Sequence, residues 1–317
     1  MKKIIMLIIV VFLTLLVACN NEEESTEGET DEFVSPEQFI DEFLEGEFEK
    51  LYKQLSDSFQ QQVSLEEFEG LGQDFNEGVQ SYEVMSVTPI RGLTEYQWIS
   101  NEGNQGIRGH FADDDTIEGL QLTPLSTFPE SDDTYTENTY HMPVVGEWLV
   151  FWGGTNELVN YHYASEVQRY AYDLLIYEND SSFDGDPEDN ESYYAFGQDV
   201  VAPLDGTVVS IENNIHDNTP GIETNEEQPL GNHIIIEHDH NEYSVMGHLQ
   251  ESSVQVSEGD EVNTGDVIAA VGNSGNSSEP HMHFQVSDDL DWLEGSSIRI
   301  QLENGEEPIR GDRVNGF

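Results

Sequence analysis

Gly272-Asn273-Ser274-Gly275-Asn276-Ser277-Ser278-Glu279-Pro280-His281-Met282-His283-Phe284 is the stretch that decides how the rest of this chain is read. A loop rich in Gly, Asn and Ser and closed by Pro280 demands turn chemistry, and it empties directly into two histidines separated by one residue. On a strand, residues i and i+2 share a face, so His281 and His283 project together while Met282 points the other way. One imidazole of such a pair can bind a metal ion while its neighbour reaches a water held there. Zinc takes roughly four ligands, and a catalytic site leaves one position for water. Strand histidines are also common without any metal, so the pair needs companions elsewhere in the chain.

Those companions stand in order on both sides. Upstream runs Gly197-Gln198-Asp199-Val200-Val201-Ala202-Pro203-Leu204-Asp205-Gly206-Thr207-Val208-Val209, followed by Gly231-Asn232-His233-Ile234-Ile235-Ile236-Glu237-His238 and Tyr243-Ser244-Val245-Met246-Gly247-His248-Leu249. Gly259-Asp260-Glu261-Val262 and Thr264-Gly265-Asp266-Val267-Ile268-Ala269 then lead into the opening stretch. With residues 272–284, these segments resemble the lysostaphin-type zinc metalloendopeptidases over roughly residues 155–286. The resemblance implies a mostly antiparallel β domain for residues 139–317, zinc as cofactor, and peptide bonds of cell-wall peptidoglycan as substrate.

In that family the metal is held by a His, by an Asp with three residues between, and by the second His of the HxH pair. The first His of that pair and a His on the preceding strand do the catalysis. Carried over by position, Asp173 and His283 become ligands, and His248 and His281 become the catalytic pair. The residue four before Asp173 is Arg169, a cation that cannot ligate zinc. A hairpin pairing Leu158–Tyr163 with Gln168–Leu175 around Ala164-Ser165-Glu166-Val167 would put His162 opposite Arg169. Residues directly opposite share a face with Cβ atoms about 4.5–5.5 Å apart, so His162 is the expected replacement ligand. Arg169 itself would then clamp a substrate carboxylate or pair with a neighbouring acid. There is no HExxH motif, so a glutamate-based zinc mechanism is not indicated. The alternative is a non-catalytic scaffold of the same fold that binds the wall or activates another wall hydrolase. The rhythm of residues 258–269 also fits a biotinyl- or lipoyl-carrier hairpin, but a carrier needs a lysine and none follows Lys53.

The 317 residues include 65 acidic and 10 basic side chains, for a formal net charge of -55. Nucleic acid and anionic membrane surfaces are therefore excluded as partners, since binding either needs basic patches. A solvated carboxylate coat of this kind suits a halophilic setting, where salt screens the self-repulsion. Cys19 is the single cysteine, so no disulfide framework exists. Lys2-Lys3, the apolar run Ile4 to Val17 and then Ala18-Cys19 read as a secretory signal over residues 1–18. Leu16-Val17-Ala18-Cys19 resembles the bacterial lipobox, which implies lipidation of Cys19 and an extracytoplasmic protein anchored to the outer face of the cell membrane.

Residues 19–32 form an acidic tether too poor in apolar groups to fold. From Phe33 the pattern turns helical: Ser35-Pro36 signals a helix start, and Phe39, Ile40, Phe43 and Leu44 share a face. Ser64-Leu65-Glu66-Glu67 has the form of a capping box. Alternating segments at 81–87, 95–99 and 116–122 complete an α+β domain over residues 33–126, loosely similar to the cone-shaped nuclear-transport-factor-like domains. Its His110 and Asp113-Asp114-Asp115 read as a solvated turn. Residues 127–138, rich in Pro, Asp, Ser and Glu, are expected to be a linker. Beyond it, Glu147–Trp152, Leu158–Tyr163 and Gln168–Tyr177 read as strands, and the acidic stretch 179–190 as a loop lacking the calcium-site pattern. His233, His240, His141 and His216 attract no role, and His238 stands where a strand ends.

Overall fold

The structure, a computed structural model, describes residues 33–317; the expected signal peptide, Cys19 and the tether lie outside them. Phe39, Ile40 and Phe43 form the buried face of α1 (Pro36–Glu45), with Pro36 in the first turn and Gly46 closing it in the left-handed conformation. Ser35 is extended at the start of α1, but its side chain makes no capping bond. Then come α2 (Phe48–Lys53), α3 (Asp57–Gln60) and α4 (Leu65–Phe75), the last opened by the expected reciprocal box between Ser64 and Glu67. The antiparallel meander β1 (Tyr82–Ile90), β2 (Leu93–Ser100), β3 (Gln105–Phe111) and β4 (Ile117–Pro124) follows in sheet order. Rings of Phe39, Phe43, Trp98 and Phe111 interlock between helices and sheet. Its other face is polar, and there His110 is not simply solvated: its Nε2 lies 3.1 Å from the carboxylate of the buried Glu95.

A second compact unit runs from Leu125 to Phe317. The expected linker is part of it, because residues 127–138 supply α5 (Pro129–Asp132) and most of β5 (Tyr135–Tyr140). β5 runs parallel to β15 (Arg299–Leu302). The buried carboxylate of Glu242 fastens it further, accepting from the backbone of Glu137 and Asn138 and from the Tyr140 hydroxyl. Between them lie β6 (Glu147–Trp152), β7 (Tyr172–Leu175), β8 (Asp199–Val201), β9 (Gly206–Glu212), β10 (Asn232–Glu237), β11 (Tyr243–Leu249), β12 (Glu261–Val262), β13 (Val267–Ala270) and β14 (Met282–Ser287). The last strand is β16 (Arg313–Asn315).

An eight-stranded antiparallel sheet, in the order β12-β9-β10-β11-β14-β7-β6-β16, is the backbone of this unit. Alternation divides its faces. Ile234, Ile236, Met246, Met282, Phe284 and Val286 enter the main core, with Val200 of β8 and Ile268 of β13. His283 and Gln285 project from the opposite face. One expected element is absent: residues 158–163 are not a strand, and the hairpin with Gln168–Leu175 does not form. The chain instead makes a 3-10 turn over Tyr161–Ala164 and enters β7 only at Tyr172.

Candidate active site

Asp173 stands at the centre of the opposite face, directly across from His283 in the β7–β14 ladder. Its Oδ1 lies 2.9 Å from His283 Nδ1, and its Oδ2 lies 3.0 Å from His162 Nε2. His162 therefore arrives beside Asp173, though on the 3-10 turn and not across a hairpin. The three side chains are buried, and one potential ligand atom from each lies within 4.8 Å of the others. Among the described residues this is the one such group of three. Burial alone would raise the Asp173 pKa, but the adjoining His162 and His281 and bonds to His162 and His283 hold it well below the usual carboxylate range.

The hydrogen bonds show which nitrogen each ring leaves free. Gln285 Nε2 donates to the Val167 carbonyl, so its Oε1 faces His283 Nε2 at 3.0 Å and must accept from it. The proton of a neutral His283 is thereby on Nε2, and the Nδ1 lone pair meets an ionised carboxylate oxygen. Two lone-pair atoms in that contact need a cation or a second proton between them. A ring that ligates with one nitrogen and donates from the other is the usual arrangement at a metal. His162 adds a nitrogen on the far side of the carboxylate. This buried set of two imidazoles and a carboxylate fits zinc, with open coordination left for water.

His281 and His248 flank this group. His281 Nε2 is 3.7 Å from Asp173 Oδ1, and the His281 and His248 ring centroids are 4.6 Å apart. His281 Nδ1 donates to the Glu279 carbonyl at 2.8 Å, and His248 Nδ1 to that of Ser274 at 2.9 Å. Both carbonyls belong to the Gly/Asn/Ser loop, which fixes both neutral rings with Nε2 as acceptor. Burial pushes the His248 pKa well below its ordinary value, reinforced by His281 and His283. His248 reaches its place through a bulge: Gly247 and His248 stand opposite His233 alone, and His248 takes a left-handed φ of 59°. Such bulges re-aim a side chain.

The loop is held from behind. Asn218 Nδ2 donates to the carbonyls of Gly275 and Ser277, and Asp217 accepts from the Asn273 backbone. Gly275, at φ 81°, packs so closely that an added Cβ would sit 2.3 Å from the Gly231 nitrogen. The acidic stretch 179–190 contributes Ser182, which donates to Glu279.

Arg169 is not placed as a substrate clamp. Its guanidinium is buried 3.6 Å over the Phe128 ring, donating to Ser131 Oγ and the Tyr163 carbonyl. Nor does it pair with an acid as expected; a cation–π contact takes that place. His238 is a buried structural residue bonded to the Asp205 carbonyl and Ser244. Gln285 went unnoticed in the sequence, although two residues beyond His283 on a strand it had to share that face. Asn218 and Asn160 carried no comparable signal.

Residues 192–294 match the family model of peptidase family M23. No curated protein matches. Among solved structures, the catalytic domain of lysostaphin from Staphylococcus simulans is similar at 20% identity and TM-score 0.28, over 48% of this chain and 88% of that one. A SpoIIIAH and SpoIIQ complex is similar at 23% identity and TM-score 0.31, over 50% and 96%. A catalytic-domain mutant of the prophage-encoded protein EnpA from Enterococcus faecalis is similar at 22% identity and TM-score 0.21, over 39% and 92%. The match to peptidase family M23 thus lies wholly within the second unit, over the segments whose residue pattern the sequence shows.

Proposed function

We propose that the chain is a zinc-dependent endopeptidase that hydrolyses peptide bonds of cell-wall peptidoglycan, with His162, Asp173 and His283 as metal ligands. The observation that carries this reading is the convergence of His162, Asp173, His248, His281 and His283 on one face of the large sheet, both catalytic rings presenting a free Nε2. Zinc bound there would acidify a water and polarise the scissile carbonyl. The chain's own residues do the rest. Two acceptor nitrogens can each take one hydrogen of a single attacking water, so His281 and His248 orient it together. One of them removes a proton at Nε2 and, as imidazolium, delivers it to the leaving amine. Gln285 keeps the His283 proton on Nε2 and its lone pair on Nδ1.

The lipobox-like sequence before Cys19 supports lipidation there and a place on the outer face of the cell membrane, where peptidoglycan lies. Purified protein incubated with sacculi is expected to release fragments bearing new amine termini, identified by mass. His281→Ala is expected to lower that rate about 10²–10⁴-fold while zinc stays bound. A wild-type protein that holds no zinc and releases nothing would be the non-catalytic scaffold instead.

A further inference from the structure

His162 is the ligand whose place in the chain departs from the family pattern, and no strand ladder holds it there. β7 pairs only with β6 and β14, and the turn carrying His162 belongs to neither. The ring offers no second anchor, since His162 Nδ1 is buried without a partner. Arg169 Nε donates to the Tyr163 carbonyl within this turn, but the side chain that bonds the backbone of His162 itself is Asn160, which is fully buried. Its Oδ1 accepts from the backbone N–H of His162 at 3.1 Å. Its Nδ2 lies 3.1 Å from the Gly154 carbonyl, 3.2 Å from that of Arg169 and 3.1 Å from that of Ala171. An amide nitrogen has two hydrogens, so the three carbonyls share them. One end of the side chain thus grips the turn of His162 and the other grips residues 169–171, immediately before the strand of Asp173.

We propose that Asn160 is the positioning residue of the metal centre: it supplies no ligand atom, and it clips the turn bearing His162 against the segment leading into Asp173. This rests on the zinc reading above. Without the clip, the His162 N–H loses its partner and the turn keeps only the Arg169 bond at Tyr163, one residue away from the ligand that lies 3.0 Å from the carboxylate. Removing the support of a ligand typically costs 10–100-fold in metal affinity.

The test is a double-mutant cycle on zinc affinity, measured by chelator competition, using the whole protein and the variants Asn160→Ala, His162→Ala and the double. Asn160→Ala is expected to weaken zinc about 10–100-fold, His162→Ala at least as much, and the double variant no more than His162→Ala alone. Cobalt(II) in Asn160→Ala should give the visible spectrum of His162→Ala, with one nitrogen ligand fewer than the wild type; a merely structural role would leave the wild-type spectrum. Where Asn160→Ala does not fold, Asn160→Ser serves: its hydroxyl can accept from His162 but is too short for the carbonyls, and the same loss is expected. Wild-type affinity and spectrum in the Asn160 variants, or an equal further loss in the His162→Ala background, would overturn the inference and leave the zinc reading standing. A wild type that takes up no zinc overturns both.

Discussion

A neutral histidine inside a protein makes the fold sensitive to acid, and His238 is such a residue. Its ring is buried, with the Asp205 carbonyl on Nδ1 and the Ser244 hydroxyl on Nε2. Burial lowers its pKa from 6.5, outweighing the opposite pull of Asp205, Glu242 and Asp239. Below that value the unfolded chain binds a proton that the folded one refuses, so stability falls as pH falls. Melting temperatures recorded from pH 7.5 down to 5 should decline, and His238→Gln should flatten part of that slope. Asp173 makes the second residue-level case. If it holds zinc, chelation should lower the wild-type melting temperature, because a ligand at 100 times its Kd stabilises by about 2.7 kcal/mol. Asp173→Asn should melt at one temperature with or without chelator; an equal chelator effect in both proteins would remove Asp173 from the metal.

At the scale of elements, the Gly/Asn/Ser loop is the part most exposed to small changes. Gly275 combines φ 81° with a Cβ position 2.3 Å from a backbone nitrogen, so Gly275→Ala requires the loop to move. A loss on the order of 1–3 kcal/mol is expected, read as a lower urea midpoint, with a fall in hydrolysis as His248 and His281 lose their carbonyl partners. This loop was legible because its chemistry is local: turn residues, a proline, then alternating histidines. Asp173 and His248 were reached only through the family resemblance, by matching position, and not from anything local to the loop. His162 was reached by a pairing that does not exist. The alternation that suggested a strand at 158–163 overlooked Asn160, whose short amide readily caps a turn and here opens the 3-10 turn. Residues 127–138 were misread on composition: their polarity concealed Phe128, which Arg169 covers, and a strand that needs β15 from the far end of the chain. Such long-range contacts leave no trace in a window of a dozen residues.

For the whole molecule, the dominant quantity is the formal net charge of -55. Screening reaches about 10 Å at 0.1 M salt and 3 Å at 1 M, so self-repulsion fades across that range. The melting temperature should rise steadily from 0.05 to 1 M sodium chloride, and a flat profile would remove the halophilic reading. Dilute buffer should loosen peripheral segments before the sheet, because they hold the fewest buried contacts. The loop whose Ser274 and Glu279 carbonyls aim His248 and His281 is not such a segment: Asn273, Ser274 and Ser277 are buried and Asn218 and Asp217 hold it, so it should last as long as the sheet. Neither imidazole can drift while the other keeps its bearing. As salt is withdrawn, the census of working molecules would shrink while each one still intact turns over at its full pace.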